Sequence, residues 1–126
     1  MTKIFAVMMV KDEIDIIGYN IEYLQTQNID HIFVANNLST DGTKEKLLEL
    51  SYKYRNITVY DDNEFAYYQP DKMNEWISRC YKLGANIIIP IDADEIWYSK
   101  VDGKTLGQVL KESDSDIFVA DSIDFI

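Results

Sequence analysis

The segment Ile87-Ile-Ile-Pro-Ile-Asp-Ala-Asp-Glu-Ile-Trp97 joins an apolar run to three carboxylates within four residues. Such a run is typical of a strand that is buried on both faces of a parallel sheet. In open α/β sheets, ligands bind just beyond the carboxyl ends of the strands. Asp92 and Asp94 are two residues apart, so in an extended segment both side chains point to one side. Because Mg²⁺ and Mn²⁺ prefer oxygen ligands, the pattern predicts a metal pair at Asp92 and Asp94, the alternative being an ordinary polar turn.

The rest of the chain alternates strand-like runs with helical patterns. The predicted strands cover residues 4–10, 31–36, 57–60, 86–91 and 116–120. Apolar side chains recur at helical spacing between them. The predicted helices are marked by Ile14, Ile17, Ile21 and Leu24, by a start near Asp41, by Met73, Trp76, Ile77 and Cys80, and by residues 105–111. This alternation predicts an α/β fold in which helices cover both faces of a mostly parallel, Rossmann-like sheet.

Composition narrows the class of protein. The 126 residues and a hydrophobic content of 47% suit a single domain over residues 1–126. The net charge of −10 argues against a nucleic-acid partner, because binding a phosphate backbone requires a basic face. Cys80 is the only cysteine, which fits a reducing compartment. We therefore expect a cytoplasmic location, with the cytoplasmic face of the membrane as an alternative. No run is long enough to predict a transmembrane segment.

Two further strand ends carry polar groups. The first strand ends in Lys11-Asp12-Glu13, and the second in Asn36-Asn-Leu-Ser-Thr-Asp-Gly-Thr43. In a parallel sheet these groups and the 92–95 segment lie on one edge, where they can converge on one ligand. Asn, Ser and Asp side chains in the second cluster also suit a helix cap, and Gly42 permits a tight turn. The same amides and carboxylates can bind a base or a ribose.

These three segments resemble the family 2 glycosyltransferases, which have the GT-A fold. Residues 8–17 are similar to the family's first strand and its Asn-Glu pair, with Asp12 where Asn is usual. Residues 36–43 are similar to its Asp-Asn/Asp-x-Ser-x-Asp-Gly-Thr motif, with Asn36 in place of the aspartate that usually contacts the base. Residues 83–97 resemble its metal-binding Asp-x-Asp segment, in the Asp-Ala-Asp-Glu form of a bacterial subgroup.

The resemblance implies transfer of a sugar from a nucleotide diphosphate sugar to an acceptor hydroxyl on a glycan or another molecule, with inversion. It implies Mn²⁺ or Mg²⁺ as the cofactor, held by Asp92 and Asp94. The nucleotide-sugar-binding residues that it implies are Lys11, Glu13, Asn36, Asn37, Ser39, Asp41 and Asp92. The family's general base comes from a later segment, and no residue here matches it.

Three other interpretations stay open. A receiver-type signalling domain would use acidic residues at the first and third strand ends, which here are Asp12, Glu13, Asp61 and Asp62. A nucleotidyltransferase would share the α/β core but usually has a Gly-rich basic loop after its first strand. A non-catalytic nucleotide-sugar-binding fragment is the third. Because an apolar-leaning segment, residues 121–126, follows the fifth predicted strand, we expect the chain to be the front part of a longer protein and unable to transfer sugar alone.

Overall fold

The computed structural model describes residues 2–64 and 70–113, and within them a four-stranded, all-parallel sheet carries four helices. The strands are β1 (Ile4–Val10), β2 (His31–Asn37), β3 (Ile57–Asp62) and β4 (Ile87–Pro90). The helices are α1 (Ile17–Gln25), α2 (Thr43–Lys53), α3 (Pro70–Lys82) and α4 (Leu106–Glu112). The strand order is β3-β2-β1-β4, and the predicted α/β fold is confirmed.

Alternate residues of the central strands pack into two separate cores. On one face, Met8 and Val34 join a cluster with side chains from α1, α2 and α4. On the other face, Val7 and Phe33 pack against Trp76 and Cys80 of α3. The sheet is therefore covered by helices on both faces. Burial raises the pKa of the Cys80 thiol to about 11, as befits a core residue.

Strand β1, rather than β4, is the one that is buried along its whole length. The sequence predicted that the apolar run after residue 86 would be buried on both faces, and this is wrong. Among the described strands β4 lies at the sheet edge and pairs only with β1, so Ile87 and Ile88 are half-buried and Pro90 is exposed. The predicted strand over residues 116–120 and the tail to residue 126 lie outside the described residues.

Helix α1 begins later than the apolar spacing predicted. Ile14 was expected on its buried stripe but lies in the turn before the helix and is 37% exposed.

Helix α4 packs closely on the segment that follows α1, where Gly107 is required. A Cβ atom at Gly107 would lie 2.3 Å from the carbonyl oxygen of Asn28. The Thr105 hydroxyl caps α4 by accepting a hydrogen bond from the Gln108 N–H group.

Candidate functional site

The carboxyl ends of the parallel strands meet at one edge of the sheet, as the sequence predicted. The loops after β1 and β2 are joined there by reciprocal hydrogen bonds. The Asp12 N–H group donates to the Ser39 hydroxyl over 3.0 Å, and the Thr40 N–H group donates to Asp12 Oδ1 over 2.7 Å. Asp12 and Leu38 both adopt positive φ angles, of 53° and 50°. The first two clusters therefore form one continuous surface.

A second pair of hydrogen bonds connects the same two loops. The Glu13 N–H group donates to the Thr43 hydroxyl over 2.9 Å, and the Ile14 N–H group donates to Asp41 Oδ2 over 3.2 Å. These contacts fix the backbone that carries the Glu13 carboxylate. Glu13 is half-buried, whereas Lys11 is exposed.

Asp41 caps helix α2 from one residue before the N-cap. Its Oδ1 accepts hydrogen bonds from both the N–H group and the hydroxyl of Thr43, the first helical residue, at 3.0 Å and 2.5 Å. Gly42 is the N-cap and has a φ of 99°, a conformation that favours glycine. The Thr43 hydroxyl bond and the backbone bonds lower the pKa of Asp41. The helix-cap interpretation is therefore true of Asp41, whereas the Ser39 hydroxyl contacts the loop after β1 instead of the helix. Both residues hold the two loops together.

Residues 92–95 form a turn and not an extended segment. The Glu95 N–H group donates to the Asp92 carbonyl over 3.0 Å, and the Asp92 N–H group donates to Glu95 Oε1 over 3.0 Å. The extended geometry predicted for Asp92 and Asp94 is therefore wrong. Both side chains are nevertheless exposed, while Ala93 between them is buried. Glu95 is engaged in closing the turn, which leaves the other two carboxylates facing solvent.

The side chain of Asn20 in α1 is hydrogen-bonded to the backbone of this turn, a role that the sequence analysis did not predict. Asn20 is fully buried, and its Nδ2 donates to the carbonyls of Ala93 and Glu95 at 2.8 Å and to that of Asp92 at 3.4 Å. The signal was available, because Asn20 is a polar residue on the helix face of Ile17, Ile21 and Leu24. The Tyr23 hydroxyl, one turn along, donates to the Trp97 carbonyl over 2.8 Å.

The carboxylates at the three strand ends affect one another's pKa values. Partial burial raises the pKa of the Glu13 carboxyl, and the negative charges of Asp94 and Asp41 raise it further. Partial burial also raises the pKa of Asp92, although the residue as a whole is exposed, and the charges of Glu95 and Asp94 add to this. Within residues 2–64 and 70–113, none of these carboxylates forms an ion pair with Lys or Arg. The edge between β2 and β4 therefore carries negative charge that described side chains do not neutralise.

The two asparagines at the end of β2 point to opposite faces. Asn36 is 3% exposed, and its Oδ1 has no hydrogen-bond partner in the described part of the chain. Asn37 is fully buried, and its Nδ2 donates to Asp62 Oδ2 at 3.0 Å and to the Glu64 carbonyl at 2.7 Å. Of the predicted nucleotide-binding residues, these two are the most deeply buried, and the amide hydrogens of Asn37 are engaged by the end of β3.

A buried ion pair that the sequence did not predict closes the end of β3. Lys72 of α3 lies 2.8 Å from Asp62 Oδ2, and both side chains are only 6% exposed. Burial by itself would raise the pKa of Asp62, but the hydrogen bonds from Lys72 and Asn37 outweigh it and lower that pKa. Glu64 adds a second carboxylate 3.5 Å from the lysine nitrogen. The signal was Lys72 itself, spaced by four and eight residues from the buried Trp76 and Cys80.

The donor set of the 92–95 turn suits a hard divalent cation that is shared with a phosphate. No group of three or more His, Cys, Asp or Glu residues in the described ranges is arranged to hold a metal ion. Mg²⁺ usually keeps several waters and uses one or two carboxylates together with substrate phosphates. Asp92 and Asp94, both exposed, provide that smaller set.

Comparisons with known proteins add no further assignment. No protein-family model matches the chain, and no curated protein shows significant similarity to it. In the part of the chain that the structure describes, none of the helices has the length and apolarity needed to cross a membrane.

Proposed function

We propose that this chain binds a nucleoside diphosphate together with a divalent cation at the carboxyl edge of its sheet. The supporting observation is the gathering of carboxylates from three strand ends, with described side chains providing no counter-charge. A diphosphate is itself anionic, so it would be repelled by this edge unless a cation came with it. Mn²⁺ or Mg²⁺, held by Asp92 and Asp94, would provide that charge.

More specifically, we propose the donor-binding part of a glycosyltransferase of the family 2 type, which uses a nucleotide diphosphate sugar. The order of the three segments along the sequence supports this, as does the α/β fold. When bound, the cation would supply positive charge to the departing nucleoside diphosphate. Glu13, Asn36 and Asp41 would face the base and ribose between the ends of β1 and β2, and Lys11 and Asp12 would border them.

The alternative of a receiver-type module receives less support from the same site. That interpretation needs an accessible aspartate at the end of the third strand, close to the acidic residues of the first. Here Asp62 is buried in the ion pair with Lys72, and Asp61 pairs with Lys44 at 3.4 Å. The acidic groups that gather with Glu13 come instead from Asp41 and Asp94.

Calorimetry with UDP and GDP, each with and without Mn²⁺, tests the proposal. We expect one of the diphosphates to bind in the presence of Mn²⁺ and only weakly in its absence. Asp94→Ala should abolish the Mn²⁺-dependent part, and the matched control is Asp102→Ala, which removes an exposed carboxylate outside the turn. Binding that is independent of metal, or unchanged in Asp94→Ala, would contradict the proposal.

A further inference from the structure

Asn20 makes an unusual set of contacts for a helical side chain. Its amide nitrogen reaches three carbonyl oxygens of the 92–95 turn, from a position 72 to 75 residues earlier in the chain. Two amide hydrogens serve these three acceptors. The Asp92 carbonyl also accepts from the Glu95 N–H group, whereas those of Ala93 and Glu95 have no other donor among the described residues. A buried carbonyl without a donor costs about 1–3 kcal/mol, so the turn geometry depends on this amide.

The contacts also fix the backbone of the turn that carries the exposed Asp92 and Asp94 side chains. The strand ladder ends just after Pro90, which has no N–H group, and the Ile91 N–H group makes the last bond to β1, to the Val7 carbonyl over 2.9 Å. Beyond that point two side chains hold the backbone. The buried Asn20 amide donates to the Ala93 carbonyl, and the exposed Glu95 carboxylate accepts from the Asp92 N–H group. Neither Asp92 nor Asp94 accepts a side-chain hydrogen bond that would orient it among the described residues.

We propose that Asn20 is a positioning residue, which holds the 92–95 turn in the shape that presents the Asp92 and Asp94 carboxylates to one divalent cation. This inference rests on the proposed function, because it concerns the same metal pair. Asn20 would not contact the cation or the nucleotide. Groups that orient metal ligands from behind typically contribute about 10–100-fold to metal affinity, which sets the size of the expected effect.

The test compares Mn²⁺ affinity at saturating UDP or GDP in the wild-type protein and in Asn20→Leu and Asn20→Ala. We expect each substitution to weaken Mn²⁺ binding by about tenfold or more, and to leave the weak binding of diphosphate without metal unchanged. Leu50→Ala is the control for lost stability, because Leu50 is a core residue of α2, the helix that packs on β3, and β3 is the described strand farthest from β4. It should lower stability and keep wild-type Mn²⁺ affinity.

A folded Asn20 variant with wild-type Mn²⁺ affinity would overturn the inference while leaving the proposed function intact. A wild-type protein that binds no Mn²⁺ with either diphosphate would instead overturn the proposed function. Should neither variant fold, the side-chain amide resonances of Asn20 in the wild-type protein decide the matter. Binding of Mg²⁺ with diphosphate should shift them, and unchanged resonances would overturn the inference.

Discussion

The ends of β3 and β4 are built alike but differ in charge. At each, a fully buried asparagine donates its amide to backbone carbonyls: Asn37 to the residues after β3, and Asn20 to the turn after β4. At β3, Lys72 neutralises the aspartate. At β4, Asp92 and Asp94 face solvent and have no described cation partner.

The charge at the end of β3 is therefore balanced within the protein, whereas the described residues do not balance the charge at the end of β4. Pairing lowers the pKa of Asp62, so that its charge favours the folded state. At the 92–95 turn, and at Glu13 after β1, partial burial raises the pKa of Asp92 and of Glu13 and neighbouring negative charges add to this, so that ionisation there opposes folding. An arrangement of this second kind is characteristic of functional sites, where the missing charge is supplied by a ligand.

Removing the charge at β3 should have the largest effect on stability. Asp62→Ala removes the buried carboxylate that lies 2.8 Å from the Lys72 nitrogen, and we expect the free energy of unfolding to fall by about 3 kcal/mol. Asp61→Ala, its neighbour, breaks an ion pair that is nearly half exposed and should change stability by less than about 1 kcal/mol. Urea denaturation of both variants measures this. Equal losses would show that the buried pair is no stronger than the surface pair.

The two asparagines should contribute comparably to stability. Asn37→Ala and Asn20→Ala each leave buried carbonyl groups without a donor, and each should lower the free energy of unfolding by about 2 kcal/mol. Chemical denaturation of the two variants side by side checks this. A much smaller loss in Asn20→Ala would mean that the 92–95 turn keeps its shape without the amide. The two asparagines would then not have the same structural role.

Asp62 at the end of β3 and Glu13, whose carboxyl is affected by the charge of Asp94, should also respond to pH in opposite directions. The pKa of Asp62 is lowered, so its contribution is present above the ordinary value of 3.8 and is lost as the pH falls through the folded value. The pKa of Glu13 is raised, so stability falls as the pH rises from the ordinary value of 4.5 through the folded value.

Glu13→Gln should therefore gain stability relative to the wild type as the pH rises toward neutrality, by less than about 1 kcal/mol for a partly exposed group. Asp62→Asn should lose stability over the same change. Thermal unfolding across the acid range follows both. A Glu13→Gln protein that is less stable than the wild type at neutral pH would show that the carboxylate has a favourable partner after all.

The sequence predicts local structure well and long-range polar contacts poorly. The period of the apolar residues placed β1 at its observed bounds, and the helical spacing of Met73, Trp76 and Cys80 falls within α3. The turn at residues 92–95 could not be predicted, because it depends on Asn20, which is distant in sequence. The pairing of Asp62 with Lys72 needs the geometry of β3 against α3, and only the position of the lysine on an apolar helix face hints at it.

The comparison between the two strand ends can be tested in one spectrum. Mn²⁺ is paramagnetic and broadens the amide resonances of residues near it, so titrating it into the labelled protein with UDP or GDP locates the cation. The account predicts the strongest broadening at Glu13 and at Ala93, Asp94 and Glu95. At Asp62 and Asn63, three strands away, the broadening should be much weaker. Broadening centred on Asp61 and Asp62, or none at the 92–95 turn, would contradict it.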